Sequence, residues 1–277
     1  MKAAYLHVLN PEWTIGITFH TRSLYQQLHE LVRRFTYDAV EDEPDPRRVV
    51  VLHSWGARTR AGLYSTIAQR MGITPRNFMD AKAKYGYDKA FQGICAELLD
   101  LMEGNPIEPF FDALLIDEGQ DLPREFFQLA YAVVRPPKRI IWAYDELQNL
   151  SSYTMEPPET LFGNDESGSP RVQLAQTEGG PRSDVILDVC YRNSPWALTV
   201  AHALGFGCYR AANKDLPAVQ MFDDPGLWND IGYTRVSGAL QPGEDVVLKR
   251  RDDCSPRFFH ELLNPTDAVV FRTLTLS

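Results

Sequence analysis

Four short runs of almost uninterrupted apolar residues constrain the fold more than any other feature of this sequence. They are TIGITF (residues 14–19), RVVVLH (48–53), DALLID (112–117) and KRIIWAY (138–144). Such runs are typical of strands that are buried on both faces, as in a parallel sheet. Between the first two lies SLYQQLHELVRRF, whose apolar residues fall on one helical face. The alternation of strand and helix predicts a doubly wound α/β core.

The middle of the chain departs from this alternation. Residues 57–110 carry helical patterns such as KAFQGICAELLDLMEG and no strong strand, which predicts a helical insertion into the α/β domain. Residues 151–184 are rich in Pro, Gly, Ser and acidic residues, which predicts a long loop. Beyond the loop, DVILDVCY predicts a strand and SPWALTVAHALG a helix that begins at the proline.

The C-terminal part of the chain alternates short strand patterns with one helical pattern. The strand patterns are YTRVSG, DVVLKR and DAVVFRTL, and the helix is near SPRFFHELL. We interpret residues 205–277 as the incomplete start of a second α/β domain. Residues 1–56 and 111–204 then form the first domain.

Composition and cysteine usage exclude several classes of protein. Of the 277 residues, 44% are hydrophobic, and no run approaches the roughly 18 apolar residues of a membrane-spanning helix. The four cysteines form no CxxC pair, so we expect reduced thiols in a cytoplasmic protein rather than zinc ligands. The net charge of -9 argues against a uniformly basic nucleic-acid surface but is compatible with a local basic groove.

Two acidic residues end the third apolar run, in LLIDEGQDLP. Ligands of open α/β sheets bind beyond the carboxyl ends of the strands, where Asp117 and Glu118 would lie. An aspartate there can hold Mg²⁺, which prefers few protein oxygens together with phosphate. A neighbouring glutamate can orient or deprotonate a water molecule. The alternative is a strand that simply enters a solvated acidic turn.

The wider context of these acids resembles a known family. IDEGQDL resembles the Walker B box of superfamily 1 DNA helicases of the UvrD/Rep type, usually hydrophobic-DEAQD-hydrophobic, with Gly119 in place of alanine. IIWAYDELQNL resembles the next box, a strand ending in GDxxQ, with Tyr144 in place of glycine and with Asp145 and Gln148 at the usual spacing. VCYRNSPWALTVAHAL resembles the box that carries Tyr-Arg before a helix. GITFHTRSL and VVVLHSWG resemble the TFTNKA and TFHS segments. All five occur in the order of the family.

The resemblance implies a RecA-like P-loop NTPase sheet and a role for each matching residue. Asp117 would coordinate Mg²⁺ and Glu118 would act on the hydrolytic water. Gln148 would sense the γ-phosphate of ATP, and Asp145 would lie in the same nucleotide site. Tyr191 would stack on the adenine. For Arg192 an arginine-finger role is implied, since a guanidinium suits developing phosphoryl charge.

The resemblance also implies single-stranded or partly duplex DNA as the partner and ATP-driven movement as the activity. Family members bind single strands through aromatic stacking and backbone contacts. Phe19, His53, Ser54 and Tyr153 occupy positions where such contacts would lie, and Trp55 is a further aromatic residue near that edge. Phe19 could instead be a core residue, and His53 a histidine satisfied at a strand end.

One element of an ATPase is absent from the sequence. A P-loop needs GxxxxGK[ST], and none of the 18 glycines is followed by Lys-Ser or Lys-Thr. The helical sequence MKAAYLHVL resembles the helix that follows the P-loop. We therefore expect that a P-loop strand precedes residue 1 and that the late helicase boxes follow residue 277. Without them, we expect weak or no ATP hydrolysis.

Three hypotheses remain after the sequence is read. The first is a fragment of an ATP-dependent DNA helicase or translocase. The second is a relative without a P-loop that binds DNA or protein and does not hydrolyse ATP. The third is a metal-dependent nuclease that uses Asp117, Glu118 and Asp121. It is the weakest hypothesis, because such a site usually also needs a lysine or further acids from a neighbouring strand, and none is identifiable.

Overall fold

The chain forms two compact units in the computed structural model. The structure describes residues 1–56, 60–145, 156–174, 183–205, 226–240 and 245–256, and the backbone alone of residues 268–272. The first unit spans Met1–Leu174 and the second Ala175–Ser277.

The first unit contains the predicted parallel sheet. Its strands are β1 (Ile15–Phe19), β2 (Val49–His53), β3 (Phe111–Ile116) and β4 (Val134–Trp142). They lie in the order β2-β1-β3-β4, and every neighbouring pair is parallel. The four apolar runs therefore correspond to the four strands, and the α/β class with a parallel sheet is confirmed.

Helices cover both faces of the sheet. On one face, α1 (Lys2–Leu9) and α2 (Leu24–Val40) pack against Ile15, Ile17 and Phe19 of β1. On the other face lie α3 (Leu63–Arg70), α5 (Ala90–Glu103) and α6 (Arg124–Val133), with α4 (Phe78–Tyr85) against α5. The short helix α7 (Pro158–Leu161) packs on α6.

The larger hydrophobic core joins the predicted helical insertion to the sheet. It includes Ile67 of α3, Ile94 of α5, Leu114 of β3 and Phe126 of α6, each at most 1% exposed. The burial of such side chains is the main favourable term in folding, at about 25 cal/mol per Å² of apolar surface. Helices α3 to α5 are therefore part of the core of the first unit.

Strand β4 lies at an edge of the described sheet. Its residues alternate between partly buried Ile140 and Trp142 and exposed Arg139 and Ile141, the last being 37% exposed. The N–H of Ala143 donates to the carbonyl of Ile116 at 2.9 Å, so the backbone N–H and C=O groups of odd-numbered residues of β4 face β3. The backbone N–H and C=O groups of Ile140 and Trp142 point away from β3, towards the edge of the described sheet.

The second unit contains α8 (Pro195–Gly205), α9 (Gly226–Asp230) and the strands β5 (Tyr233–Gly238), β6 (Asp245–Arg250) and β7 (Ala268–Arg272). These strands form an antiparallel sheet in the order β5-β6-β7. The guanidinium of Arg250 is 2% exposed and is satisfied by the hydroxyl of Ser255 and the carbonyls of Ile231, Asp188 and Cys254, at 2.6–2.9 Å. Most of the helix near SPRFFHELL lies outside the described residues.

One predicted strand does not form. The segment DVILDVCY has no strand between residues 184 and 191, and Val185 and Leu187 are 64% and 85% exposed. A strand needs a neighbouring edge for its hydrogen bonds, and the one backbone bond described for this segment joins Cys190 to Cys254. Within the described part of the chain, no helix is long and apolar enough to cross a membrane.

The shared core generates a prediction about Ile94, which is 1% exposed on α5. We expect Ile94→Ala to lower the free energy of unfolding of the first unit by about 2–5 kcal/mol, because a cavity remains. Urea unfolding followed by tryptophan fluorescence measures the change. Leu101→Ala, at a 48% exposed position of the same helix, should change it by less than about 0.5 kcal/mol. An Ile94→Ala transition that leaves the sheet unfolding at its original midpoint would show that α3–α5 fold independently.

Candidate functional site at the carboxyl edge of the sheet

The strands of the first unit end side by side and bring polar residues to one edge. His20 follows β1, His53 ends β2, and Asp117 and Glu118 follow β3. The edge is fixed by main-chain bonds, because the N–H of Asp117 donates to the carbonyl of Thr18 at 2.9 Å. On the other side of β1, the N–H of Ser54 donates to the carbonyl of Phe19 at 2.8 Å.

Asp117 is a half-buried carboxylate next to a second acid. Burial raises its pKa above the ordinary value, and the negative charge of Glu118 raises it further, while a bond from the backbone of Glu118 acts in the opposite direction. The ionised form is therefore disfavoured in the folded protein. A cation at this position would offset the penalty, as expected for a metal-binding aspartate.

Glu118 adopts a backbone conformation that is rare for a residue with a side chain. Its φ and ψ are 53° and 49°, in the left-handed region. For a residue other than glycine this conformation costs of order 1 kcal/mol, and such conformations are concentrated at functional sites. A 3₁₀ turn (Gly119–Asp121) follows directly. The chain thus turns sharply at Glu118, immediately after the end of β3.

Gln120 holds this turn in place. Its side chain is 1% exposed, its Nε2 donates to Oε2 of Glu118 at 2.6 Å, and its Oε1 accepts from the N–H of Asp145 at 3.1 Å. The N–H of Gly119 also donates to the carbonyl of Ala143 at 2.8 Å. Gln120 therefore orients the carboxylate of Glu118 and links the ends of β3 and β4.

Two histidines occupy the neighbouring part of the edge. Nδ1 of His20 lies 3.0 Å from Oγ of Ser54, and the rings of His20 and His53 are 5.9 Å apart. Nδ1 of His53 accepts from the N–H groups of Trp55 and Gly56 at 3.0 and 3.2 Å, which requires the neutral ring. Burial is the main cause that lowers the pKa of His53 to about 4, and the charge of His20 lowers it further.

The pKa of His20 is lowered as well, although a nearby acid opposes the shift. Burial is the main cause, the negative charge of Asp121 acts in the opposite direction, and the positive charge of Arg22 lowers the pKa further. The edge therefore combines carboxylates on the β3 side with neutral imidazoles on the β1 and β2 side.

The predicted site residues differ in their accessibility. Phe19 and Ser54 are completely buried, so in this conformation neither reaches a ligand, which favours the core alternative for Phe19. The backbone bonds to Nδ1 match the alternative of a satisfied strand-end histidine for His53. Asp145 is exposed just after β4.

The remaining predicted residues lie in the second unit or outside the description. Tyr191 is 86% exposed and Arg192 is also exposed, both just before α8 in the second unit. Gln148 and Tyr153 lie outside the described residues.

Among the described residues, no group of three or more His, Cys, Asp or Glu side chains is arranged to hold a metal ion. Asp117 alone fits Mg²⁺ in the way the ion usually binds, with one or two carboxylates and with the other positions taken by water and phosphate. The raised pKa of Asp117 agrees with this fit, because a bound cation would stabilise the ionised carboxylate.

Two residues of this edge were not selected from the sequence, although signals for both are present. Gln120 lies inside the DEGQD motif, two residues before buried Leu122, so a polar side chain there must find partners within the turn. His20 directly follows the first apolar run, and His53 is the last residue of the second. A polar residue at the carboxyl end of each of two parallel strands is a signal for a shared site.

Comparison with known proteins gives no relative for this chain: no family model, no curated protein and no solved structure matches it significantly. The motifs and the geometry of the carboxyl edge therefore carry the functional argument.

We expect Gln120→Leu to destabilise the first unit by about 1–3 kcal/mol, because the carboxylate of Glu118 and the N–H of Asp145 lose their partner. Urea unfolding measures the difference. Gln27→Leu, at an exposed position of α2, is the matched control and should be nearly neutral. Equal stabilities of the Gln120→Leu and wild-type proteins would contradict the bridging role.

The environment of His53 predicts a pH dependence of stability. Its pKa lies near 4 in the folded protein against an ordinary value of 6.5, so the unfolded chain binds a proton first as the pH falls. Its contribution is fully present above pH 6.5 and is lost as the pH falls towards 4. We expect His53→Asn, which keeps an acceptor and does not titrate, to show a smaller loss of unfolding free energy between these pH values. Parallel pH profiles of the two proteins would contradict this.

Proposed function

We propose that this chain carries the metal- and water-binding half of the ATP site of a DNA helicase or translocase. The observation that carries the proposal is the Asp117–Glu118 pair at the carboxyl end of β3, a central strand of an all-parallel sheet. Ligands of such sheets bind at this edge. The half-buried aspartate and the glutamate held by Gln120 support the proposal.

Each acid has a distinct role in this proposal. Asp117 would hold Mg²⁺, which in turn would neutralise charge on the phosphates of ATP. Glu118, with its carboxylate fixed by Gln120 at 2.6 Å, would orient and deprotonate the attacking water. Asp145 is linked to the same turn through Gln120. Gln148, Tyr191 and Arg192 are proposed nucleotide contacts by resemblance alone.

The phosphate groups of ATP lack an obvious partner in this sequence. No GxxxxGK[ST] is present to supply wrapped backbone N–H groups and a lysine. Carboxylates repel a nucleotide unless Mg²⁺ accompanies it. We therefore expect Mg²⁺-dependent but weak nucleotide binding and slow hydrolysis.

Asp117→Asn tests the proposal by two readouts of thermal unfolding. Without ligand, we expect the variant to be more stable than wild type at neutral pH, since burial and the charge of Glu118 raise the pKa of Asp117 and the amide carries no charge. With Mg²⁺ and ATP together, we expect the melting temperature of wild type to rise and that of the variant to stay unchanged.

Asp100→Asn, at an exposed position of α5, is the control and should behave as wild type does. ATP with a chelator should give no shift in any protein. An equal Mg·ATP shift in wild type and Asp117→Asn would overturn the assignment of Asp117, and no shift in wild type would overturn ATP binding by this chain.

The missing phosphate-binding motif favours a second candidate, a DNA- or protein-binding relative that does not hydrolyse ATP. Glu118→Gln separates the two functions. If the chain hydrolyses ATP slowly through this site, the variant loses the residual rate and keeps the Mg·ATP thermal shift. A wild-type chain with no measurable hydrolysis, which binds single-stranded DNA equally well with and without Mg·ATP, would be the binding relative.

A further inference from the structure

A cluster of aromatic and basic side chains lies on the surface of the first unit, beside helix α4. It consists of Trp55, Phe78, Met79, Lys82 and Tyr87, and we name it the α4 aromatic surface. The rings of Trp55 and Phe78 are 5.9 Å apart, and those of Phe78 and Tyr87 are 5.7 Å apart. The three rings therefore form one continuous row.

One end of this row is anchored in the core. The ring of Trp55 stacks on that of Phe91 at 5.2 Å and 22°, and its Nε1 donates to the carbonyl of Arg76 at 3.0 Å. The other end is exposed to solvent, since Phe78, Met79 and Tyr87 are 39%, 69% and 68% exposed. Contiguous exposed apolar groups of this kind mark interaction sites, whereas scattered ones do not.

Basic and acidic side chains surround the row, and Lys82 is the cation that lies beside its exposed rings. Residues 76–89 contain four basic and two acidic residues. Arg76 and Lys84 pair with Glu97, at 2.6 and 3.3 Å. Nζ of Lys82 lies 5.5 Å from the centre of the Tyr87 ring, and Lys82 forms no ion pair with any residue that the structure describes.

We propose that the α4 aromatic surface binds single-stranded nucleic acid by stacking bases on Phe78 and Tyr87, with Lys82 at a backbone phosphate. Aromatic rows with interspersed cations fit this ligand, because every base has a π-face and every nucleotide carries a negative charge. A purely apolar protein helix would gain nothing from Lys82. This proposal rests on the proposed function for the class of partner. It assigns the nucleic-acid contact to the α4 aromatic surface instead of to Phe19 and Ser54, which are buried.

Fluorescence anisotropy with a labelled oligothymidylate of about 16 nucleotides, at low salt, tests the proposal. We expect Tyr87→Ala and Phe78→Ala each to weaken binding about 5- to 160-fold, the effect typical of one lost stacking contact. Tyr87→Phe keeps the ring and should bind as wild type does. Lys82→Gln should lower the slope of log K against log salt by about 0.7, the value for one phosphate of a single strand.

A matched control pair exists on α1. Nζ of Lys2 lies 5.9 Å from the centre of the Tyr5 ring, and Tyr5 is 56% exposed. Tyr5→Ala and Lys2→Gln therefore remove the same chemistry at another site, and they should leave binding of the oligonucleotide unchanged. Circular dichroism and the melting temperature show whether each variant is folded. Because Tyr87 is 68% exposed, Tyr87→Ala should remain folded even if Phe78→Ala destabilises the protein.

The outcomes separate this inference from the proposed function. Wild-type affinity in Tyr87→Ala and Phe78→Ala, or no binding of the oligonucleotide by the folded wild-type chain, overturns the inference. Loss of binding in these variants, with an intact Mg·ATP thermal shift, supports it. If the variants lose binding but wild type shows no Mg·ATP shift, the nucleic-acid surface stands and the ATP-dependent function fails.

Discussion

The parallel pairing of β1 with β3 is the interaction on which the site depends. Ile15, Gly16, Ile17 and Thr18 lie opposite Ala113, Leu114, Leu115 and Ile116. This register brings the N–H of Asp117 to the carbonyl of Thr18, so that both strands end at the same level. A shift by one residue would exchange the faces of each strand. Asp117 would then leave the edge, and Leu114 would leave the core that it shares with α5 and α6.

The same edge concentrates features that are unfavourable for stability. Asp117 is a half-buried acid beside another acid, and Glu118 has a left-handed backbone. The buried amide of Gln120 offsets part of this, because it donates to the carboxylate of Glu118 and accepts from the chain after β4. Stability alone would favour a neutral side chain at 117 and a glycine at 118. The presence of both acids at this edge is the pattern expected of a site in which local strain and charge serve a function.

The sequence predicted the strands because each apolar run could be buried on both faces, and it predicted α8 because Pro195 and Gly205 define its ends. It failed for DVILDVCY, which has an apolar pattern but no neighbouring edge in the described structure to supply hydrogen bonds. The solvent accessibility of the candidate site residues could not be predicted from their residue types. Phe19 and Ser54 have types that suit a DNA contact, yet the packing around β1 buries both. The role of Gln120 depends on the chain after β4 returning to the turn, which a local motif does not specify.

The α4 aromatic surface and the carboxylate edge are connected by a short segment after β2. Nδ1 of His53 accepts from the N–H of Trp55, and Ser54, between them, contacts His20 at the end of β1. Trp55 in turn lies at the inner end of the aromatic row. A ligand that moved Trp55 would disturb its hydrogen bond to His53 and, through Ser54, the contact with His20. If the α4 aromatic surface and the carboxyl edge bind the ligands proposed above, the segment from His53 to Trp55 links the two sites through neighbouring hydrogen bonds.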